Sequence, residues 1–213
     1  MVFAAVLSTT ALLASAVQGP VKMARTYKAG EESTYTVTAN SGDANSGLQF
    51  TVLVKTTKLL ANGSATQQFT TSNMTVGGKA QPAIPAFSED IGANNVSSTL
   101  NVQDSAKLPV ILLSLSSFLP AQADEGRDFP IDWSAKDQTV TLKGKGTYSG
   151  SKDLNGKKAW VLKTTFEIQP KNDKPGTFTS VSYFDPANGR LLNSDGELDV
   201  VGAGSIKVTV KSK

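Results

Sequence analysis

The chain of 213 residues contains no cysteine and no histidine. Without cysteine no disulfide staples the fold, and no lipidated N-terminal thiol can tether it. Many exported bacterial proteins lack disulfides, so this absence leaves the compartment open. Without histidine, a Ser-His-Asp or Cys-His nucleophile cannot be assembled. Without either residue, the usual structural and catalytic zinc sites are excluded. Charge is sparse as well: 18% of residues are charged, against ~25% in an average domain. Arginine is scarce, and the lysines of the later half (Lys143, Lys145, Lys152, Lys157, Lys158, Lys163) are accompanied by acids. Nucleic-acid binding needs a concentrated basic footprint, so despite the net charge of +3 it is not expected. The sequence holds no Gly-x-x-x-x-Gly-Lys-Ser/Thr loop and no Rossmann alternation of strands and helices. These absences leave no catalytic residue, metal or cofactor to assign.

What the chain does have is hairpin grammar, most clearly from Thr139 to Ile168. Val140, Leu142, Gly144, Gly146 and Tyr148 fall on one face, and Trp160, Leu162, Thr164, Phe166 and Ile168 alternate along the second arm. A period of two means strands with one buried face. Register selects the turn. A bare two-residue turn at Asn155-Gly156 sets Tyr148 opposite Lys163, whereas a three-residue loop with Gly156 left-handed in a bulge sets Tyr148 opposite Leu162. The second choice keeps the apolar sets on one face and is therefore expected.

Other segments repeat this plan. Tyr35 and Val37 share one face, and so do Leu48, Phe50, Val52 and Val54. An Asn62-Gly63 turn leads into a return strand from Ser64 to Val76. Residues 25–78 and 125–168 read as two weak repeats, joined by a Gly/Pro-rich loop and an apolar segment over 79–124. Leu108–Leu119 is the most hydrophobic run. Asp104 or Ser105 can cap it, Pro109 suits a first turn and Pro120 ends it, so a short buried helix is expected. A short strand is expected at Thr99–Val102. Asp185 to Gly189 marks a hairpin turn, and Ser194 to Glu197 reads as another. At the N-terminus, Met1–Gly19 is apolar and small-residue-rich, with Ala14-Ser15-Ala16 near its end, as in a secretory signal peptide. It is too short and too Ser/Thr-punctuated for a membrane span. The expected architecture is mostly β: 20–213 as a single domain with one curved antiparallel sheet or open half-barrel of about 9–10 strands and one short apolar helix.

The residues that could carry chemistry are few. Asp124, Glu125, Asp128 and Asp132 cluster before Trp133, and paired carboxylates can hydrolyse glycosides; a solvated loop explains them as well. Asp43 with Asn45, and Asn193 with Asp195, Glu197 and Asp199, offer oxygens to calcium without matching the full EF-hand loop, and they read better as Asx-rich turns. Phe118, Trp133, Tyr148, Trp160 and Phe166 are the candidate ligand-binding residues, with plain core as the competing explanation.

The segment from Leu119-Pro120 through Gly126 and Trp133, the Asn155-Gly156 turn, and Phe184-Asp185 with Gly189-Arg190-Leu191 resemble a family of uncharacterised exported bacterial β-rich proteins. More distantly, the architecture is similar to the half-barrels of periplasmic lipoprotein carriers, which wrap a curved sheet around a helix-lidded apolar cavity. The resemblance implies an exported protein of the bacterial periplasm or cell surface that holds an apolar small molecule or lipid and performs no catalysis. The alternative is a structural cell-surface or filament subunit that self-associates by strand addition at its sheet edges.

Overall fold

The computed structural model describes residues 19–42, 47–202 and 204–213. The leader-like stretch up to residue 18, and the calcium candidates Asp43 and Asn45, lie outside them. The described residues form thirteen strands and one α-helix: β1 Val21–Lys22, β2 Glu32–Asn40, β3 Leu48–Leu59, β4 Ala65–Val76, β5 Lys79–Ala80, β6 Phe87–Ile91, α1 Leu108–Ser116, β7 Gln122–Ala123, β8 Asp128–Ser134, β9 Val140–Leu154, β10 Lys157–Pro170, β11 Gly176–Phe184, β12 Leu191–Val200 and β13 Gly204–Ser212. Eleven strands make one antiparallel sheet in the order β5-β4-β3-β2-β13-β12-β11-β10-β9-β8, with β6 also paired to β4; β1 and β7 form a separate two-stranded ribbon. The sheet is open, as the strand pattern predicts, and holds slightly more strands than expected. The two similar hairpins, β3–β4 and β9–β10, occupy opposite flanks.

One face of the sheet carries the apolar alternation. Val37, Phe50, Val52, Leu142, Leu162, Phe166, Phe178, Val208 and Val210 are essentially inaccessible to solvent and belong to a single core cluster that includes α1. The helix touches β4, β11, β12 and β13, so the sheet curls around it. All of α1 except Leu108 is buried. A helix of nine residues is not stable alone in water; burial and its end contacts hold it. Asp104 caps the 3-10 turn that leads into it, its carboxylate accepting from the Ala106 N–H at 3.1 Å, and Pro109 sits in the first turn. At the other end, Ser182 of β11 donates to the Ser116 carbonyl at 2.7 Å, satisfying one of the helix's orphan acceptors. Ser182 also bonds Ser194 at 2.9 Å, and Thr164 bonds Ser180 at 2.9 Å, so the buried hydroxyls under α1 are paired across β10, β11 and β12.

The organising hairpin has the expected pairing by a different route. Tyr148 does lie opposite Leu162. The turn, however, is the two-residue Asn155-Gly156 turn, both residues at positive φ (54° and 78°), with Leu154 paired to Lys157. The one-residue slip this would cause is absorbed further up by a bulge where Trp160 pairs Ser151 but Leu162 pairs Tyr148. Gly150, at φ 82°, lies in that bulge, and Glu125 packs against it so closely that an added Cβ would lie 2.3 Å from Oε1. Ser194 to Glu197 corrects the sequence reading too: it is the interior of β12. Gly196 is there for space, since an added Cβ would lie 2.7 Å from the Phe178 ring. Thr99–Val102 forms turns rather than a strand.

β8 closes one edge of the sheet. It carries Pro130, which offers no N–H, and exposed Asp128 and Asp132, devices that blunt edges against further pairing. The Asp128 carboxylate accepts from Lys145 at 2.8 Å and Thr147 at 2.6 Å, and these bonds hold it below the ordinary Asp range. The favourable contribution is therefore present above the unfolded pKa of about 3.9, and is lost as pH falls through the lower folded value. An NMR pH titration is expected to show Asp128 titrating below the ordinary Asp range, and Lys145→Met to move it upward. Unchanged titration in that variant would show the bonds to be absent in solution.

Candidate functional site

At one end of the half-barrel, the apolar face of the sheet outruns the helix that covers it. The end is formed by the C-terminal residues of β2, β10 and β12 and the first residues of β3, β11 and β13. Here Leu48, Ile168, Leu198, Val200 and Ile206 face Leu108, Ile111, Leu112 and Leu115 of α1 across a cavity of about 440 Å³. Val102 and Ala39 complete the wall, and the exposed polar residues Ser41, Asp173 and Lys174 sit at the rim. Leu48, Val102, Leu108, Leu198, Val200 and Ile206 are only half-buried. Apolar side chains clustered around one opening, with polar groups confined to its edge, have the composition and size of a small-molecule pocket, which typically spans ~300–1,000 Å³.

The helix that roofs this cavity is pinned beside it. Glu89 of β6, its side chain 4% exposed, accepts from Ser97 Oγ at 3.0 Å and Thr99 Oγ1 at 2.6 Å and pairs with Lys107, the residue immediately before α1. At the opposite end of the sheet, buried Arg25 bonds Glu31 at 2.8 Å and the Asn188 carbonyl at 3.1 Å, and lies over the Tyr27 ring at 4.6 Å. The phenols of Tyr27 and Tyr35 are both pushed above the ordinary Tyr range by burial, with Arg25 opposing the shift. These groups fasten the N-terminal segment to the β11–β12 turn.

None of the five aromatic residues singled out from sequence lines the cavity. Tyr148 and Phe166 are buried in the core, with Phe166 tilted against Phe178 at a ring separation of 5.7 Å, and Phe118 is buried just past α1. Trp133 and Trp160 are half-buried opposite Leu142 and Phe184. The carboxylates are dispersed. Asp124 pairs with Arg127 at 3.8 Å, and Asp128 and Asp132, four residues apart along one strand, stand roughly 13 Å apart. That exceeds the ~5–9.5 Å used by glycosidase pairs. Asn193, Asp195, Glu197 and Asp199 alternate along β12 rather than converging in a loop; Asp195 accepts from Thr209 and Glu197 from Ser205. No cluster of three acids able to hold a metal occurs among the described residues, and none of their helices is long and apolar enough to cross a membrane.

No protein-family model matches the chain, and no curated protein matches it. Solved structures are similar to it, among them the following two. One is a Bacteroides fragilis protein with a YmcC-like fold, thought to be exported, which is 9% identical, with 90% of this chain and 99% of that one covered at a TM-score of 0.43. The other is a DUF1329 family protein from Desulfovibrio piger, 11% identical, with 85% of this chain and 82% of that one covered at a TM-score of 0.22. Neither likeness bears on function at these scores.

Proposed function

We propose that the protein is an exported, non-catalytic carrier or binding protein of the bacterial cell envelope that holds an apolar or lipid-like ligand between α1 and the sheet. The observation that carries this reading is the cavity of about 440 Å³ walled by half-buried Leu, Ile and Val with polar residues only at its rim. An apolar ligand placed there covers surface the fold leaves wet, at ~25 cal/mol per Å². Pro130 and two exposed aspartates blunt the β8 edge, which counts against strand addition at that edge. A fluorescent fatty-acid probe titrated into the protein is expected to bind saturably at one molecule per chain and to be displaced by unlabelled fatty acid. Absence of saturable binding would remove the carrier reading.

A further inference from the structure

The end of the sheet opposite the apolar cavity holds a second recess of a different chemistry. It measures about 500 Å³ and lies between the β9–β10 turn, the start of β12 and the end of β13. Lys157, Arg190, Lys211 and Lys213 line it, and no Asp or Glu side chain does. Elsewhere some basic side chains are paired with acids: Arg25 with Glu31, Lys107 with Glu89 and Lys145 with Asp128. Here Lys157, Lys211 and Arg190 make no ion pair among the described residues.

Two buried atoms of residues that line the recess are unsatisfied. Arg190 Nε and Asn193 Oδ1 are buried without a hydrogen-bond partner among the described residues. A buried donor left unmade costs ~1–3 kcal/mol; Arg190 Nε is such a donor, whereas Asn193 Oδ1 is an acceptor, and both reach the recess only when their side chains turn. The Asn193 amide, turned over, presents N–H groups with no change of shape. The register sets Asn193 directly opposite Lys211, so the amide and the ammonium stem start from one cross-strand pair.

We propose that this recess binds a phosphate-type oxyanion, with Arg190 as the anchoring group and Lys157 and Lys211 supplying positive charge at its mouth. A guanidinium fork matches two oxygens of a tetrahedral anion, and the lysines act as point charges. The site is separate from the apolar cavity. Ile206 and Lys211 mark the two ends of β13, five residues and roughly 17 Å apart. The phosphate is either free in solution or borne by a lipid headgroup at a membrane surface.

The experiment follows backbone amide shifts of the full chain by NMR during titration with inorganic phosphate, and in parallel measures co-sedimentation with phosphatidylcholine vesicles with and without phosphatidic acid. Shifts converging on residues 155–157, 190–193 and 211–213 are expected. Arg190→Gln is expected to weaken binding about tenfold or more, the scale of a charge-assisted hydrogen bond. Lys157→Gln with Lys211→Gln, both at exposed positions, is expected to cost roughly threefold and to flatten the salt dependence. This pair keeps the test open if Arg190→Gln fails to fold. Saturable binding of inorganic phosphate assigns a soluble anion. Binding only to vesicles that contain phosphatidic acid, lost in the same variants, assigns a headgroup. No binding in either arm, or binding that neither variant moves, overturns the proposal.

Discussion

Replacing Glu89 by Ala is expected to destabilise the protein by about 3 kcal/mol, the low end of what breaking a buried ion pair costs. The side chain is 4% exposed and collects the hydroxyls of Ser97 and Thr99 and the ammonium of Lys107. Removing it leaves those donors without their shared acceptor. Lys107 is 32% exposed and regains water in part, which sets the loss at the low end. For a chain of this size, the change corresponds to a fall of about 6–12 °C in the thermal midpoint. Glu89→Gln, which keeps an acceptor oxygen, is expected to lose less. Because Lys107 directly precedes α1, Glu89→Ala is also expected to raise amide hydrogen exchange in α1 before the sheet is affected. A midpoint within a degree of wild type would show that Glu89 does not seat the helix.

The second large effect is on ligand affinity. Leu198 and Ile206 are direct cross-strand partners on β12 and β13, and both line the apolar cavity. Both are half-buried, so larger side chains grow into the opening instead of into the packed core. Leu198→Trp combined with Ile206→Trp is expected to leave the fold intact and to lower affinity for a fatty-acid probe about a hundredfold, within the range that steric exclusion from an apolar pocket produces. The unliganded variant is expected to match or slightly exceed wild type in stability, since filling a cavity commonly adds ~0.5–2 kcal/mol. Wild type at a probe concentration a hundred times its Kd gains about 2.7 kcal/mol, and the double variant at the same concentration gains about 0.4 kcal/mol. Equal affinity in the two proteins would move the ligand out of this cavity.

Much of the architecture is legible in the sequence because it depends on short-range signals. Period-two alternation marks the long strands, and Asp104, Pro109 and Pro120 bracket α1, because each acts on its immediate neighbours. The errors come from contacts between segments distant along the chain. The Asn155-Gly156 turn conflicts with the Tyr148–Leu162 register when read locally, because the register is restored further up by a bulge at Gly150, against which Glu125 packs. Ser194 to Glu197 looked like a turn because Gly196 has no local reason to be glycine; its reason is the Phe178 ring of the neighbouring strand.

The candidate site was half-legible for the same reason. Pairing the apolar Leu108–Leu119 segment with the one-faced sheet correctly identifies what encloses the cavity. It does not identify where along the strands the enclosure opens. That place is set by how far Leu198, Val200 and Ile206 extend beyond α1, a matter of strand register. Large aromatic residues drew the expectation to Phe118, Tyr148 and Phe166, which are buried away from the opening, while smaller aliphatic residues carry the walls. Glu89 and Arg25 gave no warning, since a buried ion pair leaves no local pattern in the sequence.

The most direct test of the central claim is native mass spectrometry on the protein purified from its own host, alongside the Leu198→Trp/Ile206→Trp variant prepared identically. If the claim holds, the wild-type chain carries one bound mass of lipid size, released on mild activation, and the variant flies bare. Bare chain in both, from a preparation that also shows no saturable fatty-acid binding, would contradict it.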